Sequence, residues 1–141
     1  MSDEIAIQQT LNRYTVGASK RNWDQVMSTF LPDAVWAVPG QGLEVHGHDN
    51  MRASMSGFVE MMDYFVQMNT PAVIEVSGDK ATAHSVIREC GKFAGRDEAL
   101  EVLGFYADEL VRTAEGWKFA RRTFSSAGLH RFTLMSGPAL G

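Results

Sequence analysis

Apolar residues recur every three to four positions through the first part of the chain. Ile7, Leu11, Tyr14 and Ala18 predict a helix over about residues 3–19. Trp23, Val26, Met27 and Phe30 predict a second, opened by Asn22 as N-cap with Gln25 three residues on and stopped by Pro32. Met51, Met55, Phe58, Met62 and Phe65 predict a third helix over about residues 49–66, weakened but not broken by Gly57. Between the second and third helices, AVWAV (34–38) and LEVH (43–46) are strand-like runs around the turn PGQG.

After MNTP the pattern changes. AVIEV, KATAHSVIREC, ALEVLGFYADELVR and WKFARRTFSS are strand-like, separated by SGD, AGRD and AEG. Helices first and a meander of strands after them predict an α+β domain, with the helices on one face of a mostly antiparallel sheet. Residues 1–141 form one domain, with 128–141 as an apolar tail lying back on the body or on a partner. The fifth strand is apolar on both faces: Leu100, Val102, Tyr106 and Leu110 at even positions, Leu103, Phe105, Ala107 and Val111 at odd ones. A sheet with one wet face alternates more cleanly, so a second copy of the chain is expected on the face away from the helices, making a homodimer.

Composition narrows the function classes. A chain of 141 residues with 45% hydrophobic and 21% charged residues is an ordinary globular domain. A net charge of −4 argues against nucleic acid and anionic membrane as partners. No apolar run is long enough to span a bilayer, and the acidic start MSDEIAIQQT lacks a leader pattern, so the expected location is cytoplasmic. The single cysteine, Cys90, allows no internal disulfide and is expected to be a small buried hydrophobe.

Three stretches in this order, RYTVGASKRNWDQVMSTFLPDAVW, AVIEVSGDKATAHS and GFYADELVRTAEGWKFARR, resemble the nuclear transport factor 2-like superfamily in its SnoaL-like polyketide cyclase branch. The resemblance reaches to about residue 126. It implies a cone in which a curved, mostly antiparallel sheet wraps three N-terminal helices around one apolar cavity. This fold hosts isomerases, dehydratases, cyclases, dehydrochlorinases and non-enzymes.

The resemblance also implies where chemistry sits. Tyr14 in NRY matches a tyrosine that polarises a carbonyl in ketosteroid isomerase, whose aspartate base falls here at Val38. Similarity to hexachlorocyclohexane dehydrochlorinase puts Ser19 at its aspartate, Gln67 at its acid–base histidine, and Arg122 at its pocket arginine. Neither serine nor glutamine takes a proton at neutral pH unaided. The proton donor and the cation are therefore expected, and the usual base is not.

Each candidate has a chemical and a structural reading. Tyr14 is a donor to a substrate oxygen or a core tyrosine. Tyr106, on a cavity-facing strand position in the relatives, would make it a two-donor clamp. Arg121 and Arg122 alternate, so one points inward; an inward Arg122 either pairs with Asp108 or Glu89, or binds an anionic group of the substrate. His84 shares a face with Thr82, Val86 and Arg88 by alternation, as a packing or dimer-face residue, unless a bulge turns it inward as the substitute base. His46 and His48 could chelate a metal, but their turn-like setting favours no metal, with Asp49 as the N-cap of the third helix. Asp33 holds backbone or, less in keeping with its motif, takes a proton. Trp36 and Met62 complete the pocket, and the methionines Met51, Met55, Met61, Met62 and Met68 suit a flexible apolar ligand or ordinary core filling.

Three functions follow, of which the weakest is a pure dimerisation module with a filled core and no usable cavity. One is a lyase- or isomerase-type enzyme without cofactor: Tyr14 and Tyr106 donate, Arg122 steadies a polar end, and His84 or a carboxylate (Asp108, Glu89 or Asp33) takes the proton from an apolar small molecule. Another is a non-catalytic binder of apolar ligands that lacks the acid–base dyad.

Overall fold

Ser2 starts the first helix, its hydroxyl accepting from the Ile5 N–H. Helix α1 (Asp3–Ser19) buries Ile7, Leu11, Tyr14 and Ala18. Gly17 lets it meet α2 (Trp23–Ser28), because a Cβ there would stand 3.0 Å from Val26 Cγ2. Arg21 makes the turn between them at φ 58°, and Asn22 caps α2 by accepting from the Gln25 N–H. The computed structural model describes residues 1–135.

The strands begin earlier than the periodicity suggests. β1 spans Phe30–Val38, so Phe30 belongs to a strand and not to α2. Pro32 sits where the β1 register is irregular, between Phe30 and Val35, and removes no ladder bond from a regular stretch. A 3-10 turn (Pro39–Gln41) and the left-handed Gly42 lead to β2 (Leu43–His46).

Helix α3 is shorter than expected. It runs from His48 to Val59 with Gly47 as its N-cap, so Asp49 lies in the first turn and is not the cap. Met62 and Phe65 belong instead to a strand, β3 (Met62–Asn69). Five apolar residues at helical spacing carried the longer helix, but Phe65, Gln67 and Asn69 also alternate, and pairing with the next long strand decided for β.

The remaining strands are β4 (Val73–Ser77), β5 (Lys80–Phe93), β6 (Glu98–Thr113) and β7 (Gly116–Thr133). They form one seven-stranded sheet in the order β2-β1-β7-β6-β5-β3, with β4 also on β5. β1 and β7 are parallel, and the other pairs are antiparallel. The helices lie on one face, so the α+β architecture is as expected. Residues from Gly128 to Thr133, expected as a tail, continue β7 against β6. Residues 136–141 of that expected tail lie outside the described residues.

Alternation is clean on β5. On β5 the odd residues Ala81, Ala83, Ser85, Ile87 and Glu89 face the helices, and Thr82, His84, Val86 and Arg88 face away. On β6 the even residues are buried, while Leu103 and Phe105 are exposed. On β7 the inward series Trp117, Phe119 changes phase. Glu109 pairs with Arg121 and Leu110 with Phe119, which leaves Ala120 as an extra residue. This bulge makes Arg122 and Phe124 the next inward side chains and turns Arg121 outward to Glu44.

Candidate functional site

The bulge places an arginine inside the core. Arg122 is wholly buried. Its guanidinium carbon lies 3.6 Å from the centre of the Tyr106 ring, 4.2 Å from that of Tyr14 and 4.6 Å from that of Phe119. Aromatic faces attract a cation best when water is excluded. Asp108, its in-register neighbour on β6, is also wholly buried, with Oδ1 3.1 Å from Arg122 Nε. That contact is an ion pair without hydrogen-bond alignment: Arg122 Nε, Nη1 and Nη2 and both Asp108 oxygens lack a hydrogen-bond partner among the described residues.

Tyr14 arrives from α1 and Tyr106 from β6, and their hydroxyls stand 3.4 Å apart. The rings meet edge to face. Each residue is 2% exposed. Burial raises the pKa of both phenols, most of all that of Tyr106, against the pull of Arg122. Both are therefore neutral hydroxyls that donate and do not serve as bases.

A second carboxyl lies across the same interior. Glu89 on β5 faces Gln67 on β3, and Gln67 Nε2 donates to Glu89 Oε1 at 3.0 Å. The Gln67 backbone N–H donates to Ser19 Oγ at 3.0 Å, tying the strand to the end of α1. Burial pushes the Glu89 carboxyl up to about 7, although the Gln67 hydrogen bond and Arg122 pull it down. Asp108 is likewise pushed up by burial to about 6, against the opposing charges of Arg122 and His84. Desolvation wins in both cases because a carboxylate loses more water than one partner replaces.

Ser19 and Gln67, which the resemblance matches to an aspartate and a histidine, meet as a hydrogen-bonded pair that presents Glu89. Glu89 was legible as an inward odd position on β5. Its contact with Gln67 was not, because β3 was hidden inside the expected third helix. Trp36 lies on β1 in register with Arg122, packed against the core, and its Nε1 is buried without a partner. Gln67 Oε1 is in the same condition. Met62 is buried in this core together with Met51 and Met55.

The structure separates His84 from this group. It lies exposed on the outer face of β5, and no bulge interrupts the β5–β6 register. The expectation that it supplies the base is corrected: alternation holds, and the sheet stands between its imidazole and the tyrosines. Asp33 is exposed. His46 lies 3.6 Å from Glu44, and His48 Nε2 meets the Phe30 carbonyl at 3.0 Å. No cluster of three metal-binding side chains occurs among the described residues. Cys90 is only half-buried, on the outer face. No helix among the described residues is long and apolar enough to cross a membrane.

Two surface hollows lie elsewhere. One of about 470 Å³ is lined by Glu75, Lys80, Thr82, Glu109 and Val111, among others. The other, of about 420 Å³, is lined by Pro71, Val73, His84, Val86 and Phe105, among others. Tyr106 borders the second, but Tyr14 and Tyr106 are almost without exposure and the Arg122 and Asp108 side chains are wholly buried, so the inner cluster is sealed from solvent.

Comparison with known proteins agrees with this fold. The family model described as a SnoaL-like domain matches residues 1–123. An uncharacterised protein of Mycobacterium tuberculosis is 27% identical over 123 residues, covering 86% of this chain and 84% of the relative. Among solved structures, a proposed aromatic ring hydroxylase from Novosphingobium aromaticivorans is 28% identical with a TM-score of 0.84, covering 92% of this chain and 93% of that one. A proposed scytalone dehydratase from the same species is 19% identical with a TM-score of 0.82, covering 96% and 91%. A hexachlorocyclohexane dehydrochlorinase of type 3 from Novosphingobium barchaimii is 22% identical with a TM-score of 0.83, covering 95% and 94%.

Proposed function

The chain belongs to the SnoaL-like domain family, and on that footing we propose that it is a cofactor-independent enzyme of the lyase or isomerase type, acting on an apolar small molecule in the inner cluster. The observation that carries this reading is the enclosure of two carboxyls, an arginine and a hydroxyl-paired Tyr14–Tyr106 within one apolar interior. A base that works near neutrality has a pKa near 7, and Glu89 has one. Glu89 takes a proton from carbon. The tyrosine pair gives a hydrogen bond, or a proton, to an oxygen of the same molecule. In an elimination the proton goes to Glu89 and the C–O bond breaks, Tyr14 protonates the departing hydroxide to water, and the proton on Glu89 then returns to Tyr14 through that water, which restores both groups. In an isomerisation Glu89 returns the proton to another carbon. Arg122, held by Asp108, lowers the energy of negative charge that develops on the oxygen.

The methionines Met51, Met55 and Met62 are the side chains best suited to shift and admit a ligand, since an unbranched thioether repacks at low cost. The scytalone dehydratase-like and dehydrochlorinase-like neighbours support the reaction class by fold alone.

The test is hydrogen–deuterium exchange of 2-tetralone, an apolar bicyclic ketone, followed by NMR in heavy water. Protein-dependent exchange that falls by about a hundredfold or more in Glu89→Gln is the expected result. Closure of the site and the absence of the relatives' dyad favour the second reading, a non-catalytic binder. No protein-dependent exchange with 2-tetralone bound would decide for it.

The protein acts as a homodimer through the outer face of the sheet. Val66 and Met68 on β3, Val86 on β5, and Leu103 and Phe105 on β6 are exposed. The ladders place them on one face of adjoining strands. A second copy, turned about a two-fold axis, meets this patch with the same patch.

A further inference from the structure

We infer that Gln67 is a positioning residue for Glu89: its side-chain amide holds Oε1 of the carboxyl and leaves Oε2 as the atom that takes the proton, while Ser19 fixes Gln67 in place. This rests on the reading of Glu89 as the base of the inner cluster.

The first observation is a line of support that runs from a helix to the carboxyl. Gln67 and Glu89 are register partners on β3 and β5, so their side chains leave the same face of the sheet. Gln67 Nε2 donates to Glu89 Oε1 at 3.0 Å, and no other hydrogen bond reaches that carboxyl among the described residues. The backbone of Gln67 is fixed as well. β3 is an edge strand, and the Gln67 N–H donates to Ser19 Oγ, in the last turn of α1, at 3.0 Å. Arg21, at φ 58°, ties the same end of α1 to the start of β3 by donating to the Met62 carbonyl.

The second observation is that Gln67 gains little as packing. Its companions on the inner side of β3 include Met62 and Phe65, both apolar and buried. Gln67 is 8% exposed, and its Oε1 is buried without a partner. An unpaired buried acceptor costs stability that an apolar side chain of the same length would not. What the amide supplies is one N–H on one carboxylate oxygen. Turned over, it would set Oε1 against a second acceptor, so the donor faces Glu89 whenever that carboxyl is ionised. The oxygen so held is the poorer proton acceptor, because the hydrogen bond already stabilises its charge. The charged and titratable groups that face Glu89 from other elements are Arg122 of β7, Tyr14 of α1 and Tyr106 of β6. Gln67 favours the ionised form without adding a further charge to the interior.

The experiment needs no substrate. In protein carrying 13C in its glutamate carboxyls, the Glu89 resonance is identified by its loss in Glu89→Gln and followed from about pH 5 to 10. Gln67→Met keeps the length of the side chain and removes the amide. The Glu89 midpoint is expected to rise by about one pH unit, or tenfold in proton affinity. Ser19→Ala is expected to move it the same way, and Ser19→Thr, which keeps the hydroxyl, to restore it. In native protein one side-chain amide proton of Gln67 is expected to shift with the same midpoint as Glu89, a readout that stands should a variant fail to fold. A merely structural Gln67 would lower the melting temperature on substitution and leave the midpoint where it was. An unmoved midpoint in Gln67→Met, or a Gln67 amide proton that ignores the titration of Glu89, overturns the inference; an unmoved midpoint in Ser19→Ala overturns the role of Ser19. Exchange of 2-tetralone is read apart from this. A shifted midpoint without exchange by native protein removes the catalytic reading and leaves the positioning, while exchange lost in Glu89→Gln with an unmoved midpoint does the reverse.

Discussion

Arg122 and Asp108 form an ion pair with no solvent on either side chain, Nε to Oδ1 at 3.1 Å. The pair is roofed by Tyr106 and Tyr14, whose ring centres lie 3.6 Å and 4.2 Å from the guanidinium carbon. A buried pair of this kind is costly to assemble and more costly to break. Its presence in the centre of a small core, with donors and acceptors left unpaired, marks a place organised for more than stability.

Removing one member of the pair is therefore severe. Arg122→Met leaves Asp108 buried and uncompensated, and is expected to cost about 3–5 kcal/mol of unfolding free energy. Adding Asp108→Asn to it is expected to recover most of that loss. Urea denaturation of the two variants checks this, and additive losses would show that the pair is not coupled.

Glu89 couples stability to pH. Its carboxyl is raised from 4.5 unfolded to about 7 folded, so the native state holds its proton more tightly than the unfolded chain. Its contribution is fully present below about pH 4.5 and is lost as pH rises through 7. Asp108, raised from 3.8 to about 6, has the same sign over a lower window. The native protein is expected to lose stability between these limits, with a shallower slope in Glu89→Gln. Thermal unfolding followed from pH 4.5 to 8 by circular dichroism reads it, and parallel curves for the two proteins would remove Glu89 as the cause.

Tyr14→Phe keeps the edge-to-face packing and deletes one hydroxyl. Protein-dependent exchange of 2-tetralone is expected to fall at least about tenfold, or 1.4 kcal/mol of activation free energy. An unchanged rate would assign Tyr14 to the core and leave the donation to Tyr106.

Phe105 is half exposed on the outer face. Phe105→Glu places a charge in the middle of the proposed dimer contact without touching the inner cluster. Native protein is expected to run as two copies by light scattering at micromolar concentration, and the variant as one. A native protein that scatters as a single chain overturns the dimer.

Much of this fold was legible beforehand. Helix α1, the cap at Asn22, the short β1–β2 hairpin and the long strands all announce themselves by period and by turn residues. Local pattern fails at Met62 and Phe65, whose spacing of three fits a helical period, while in β3 an irregularity between Met62 and Tyr64 puts both on the buried face. The strand wins because β5 offers its edge from Ile87 to Phe93, and no residue near Met62 reports that in advance. The candidate site divides in the same way. Tyr14, Arg122 and the pairing of Arg122 with Asp108 or Glu89 could be named from their settings, but the choice of Asp108, the Gln67 support of Glu89 and the unpaired Trp36 N–H depend on ladders that join distant segments.

By itself, the sequence determined which elements form and which stripe of each is apolar, because propensity, capping and periodicity act within a few residues. Tertiary structure decided the chemistry of the interior. A single extra residue, Ala120, turns Arg122 inward in place of Arg121, and strand pairing sets carboxyls, phenols and guanidinium together away from water. Burial then moves the two carboxyls upward in pKa, and burial belongs to the assembled molecule: it comes from what other segments bring over a side chain.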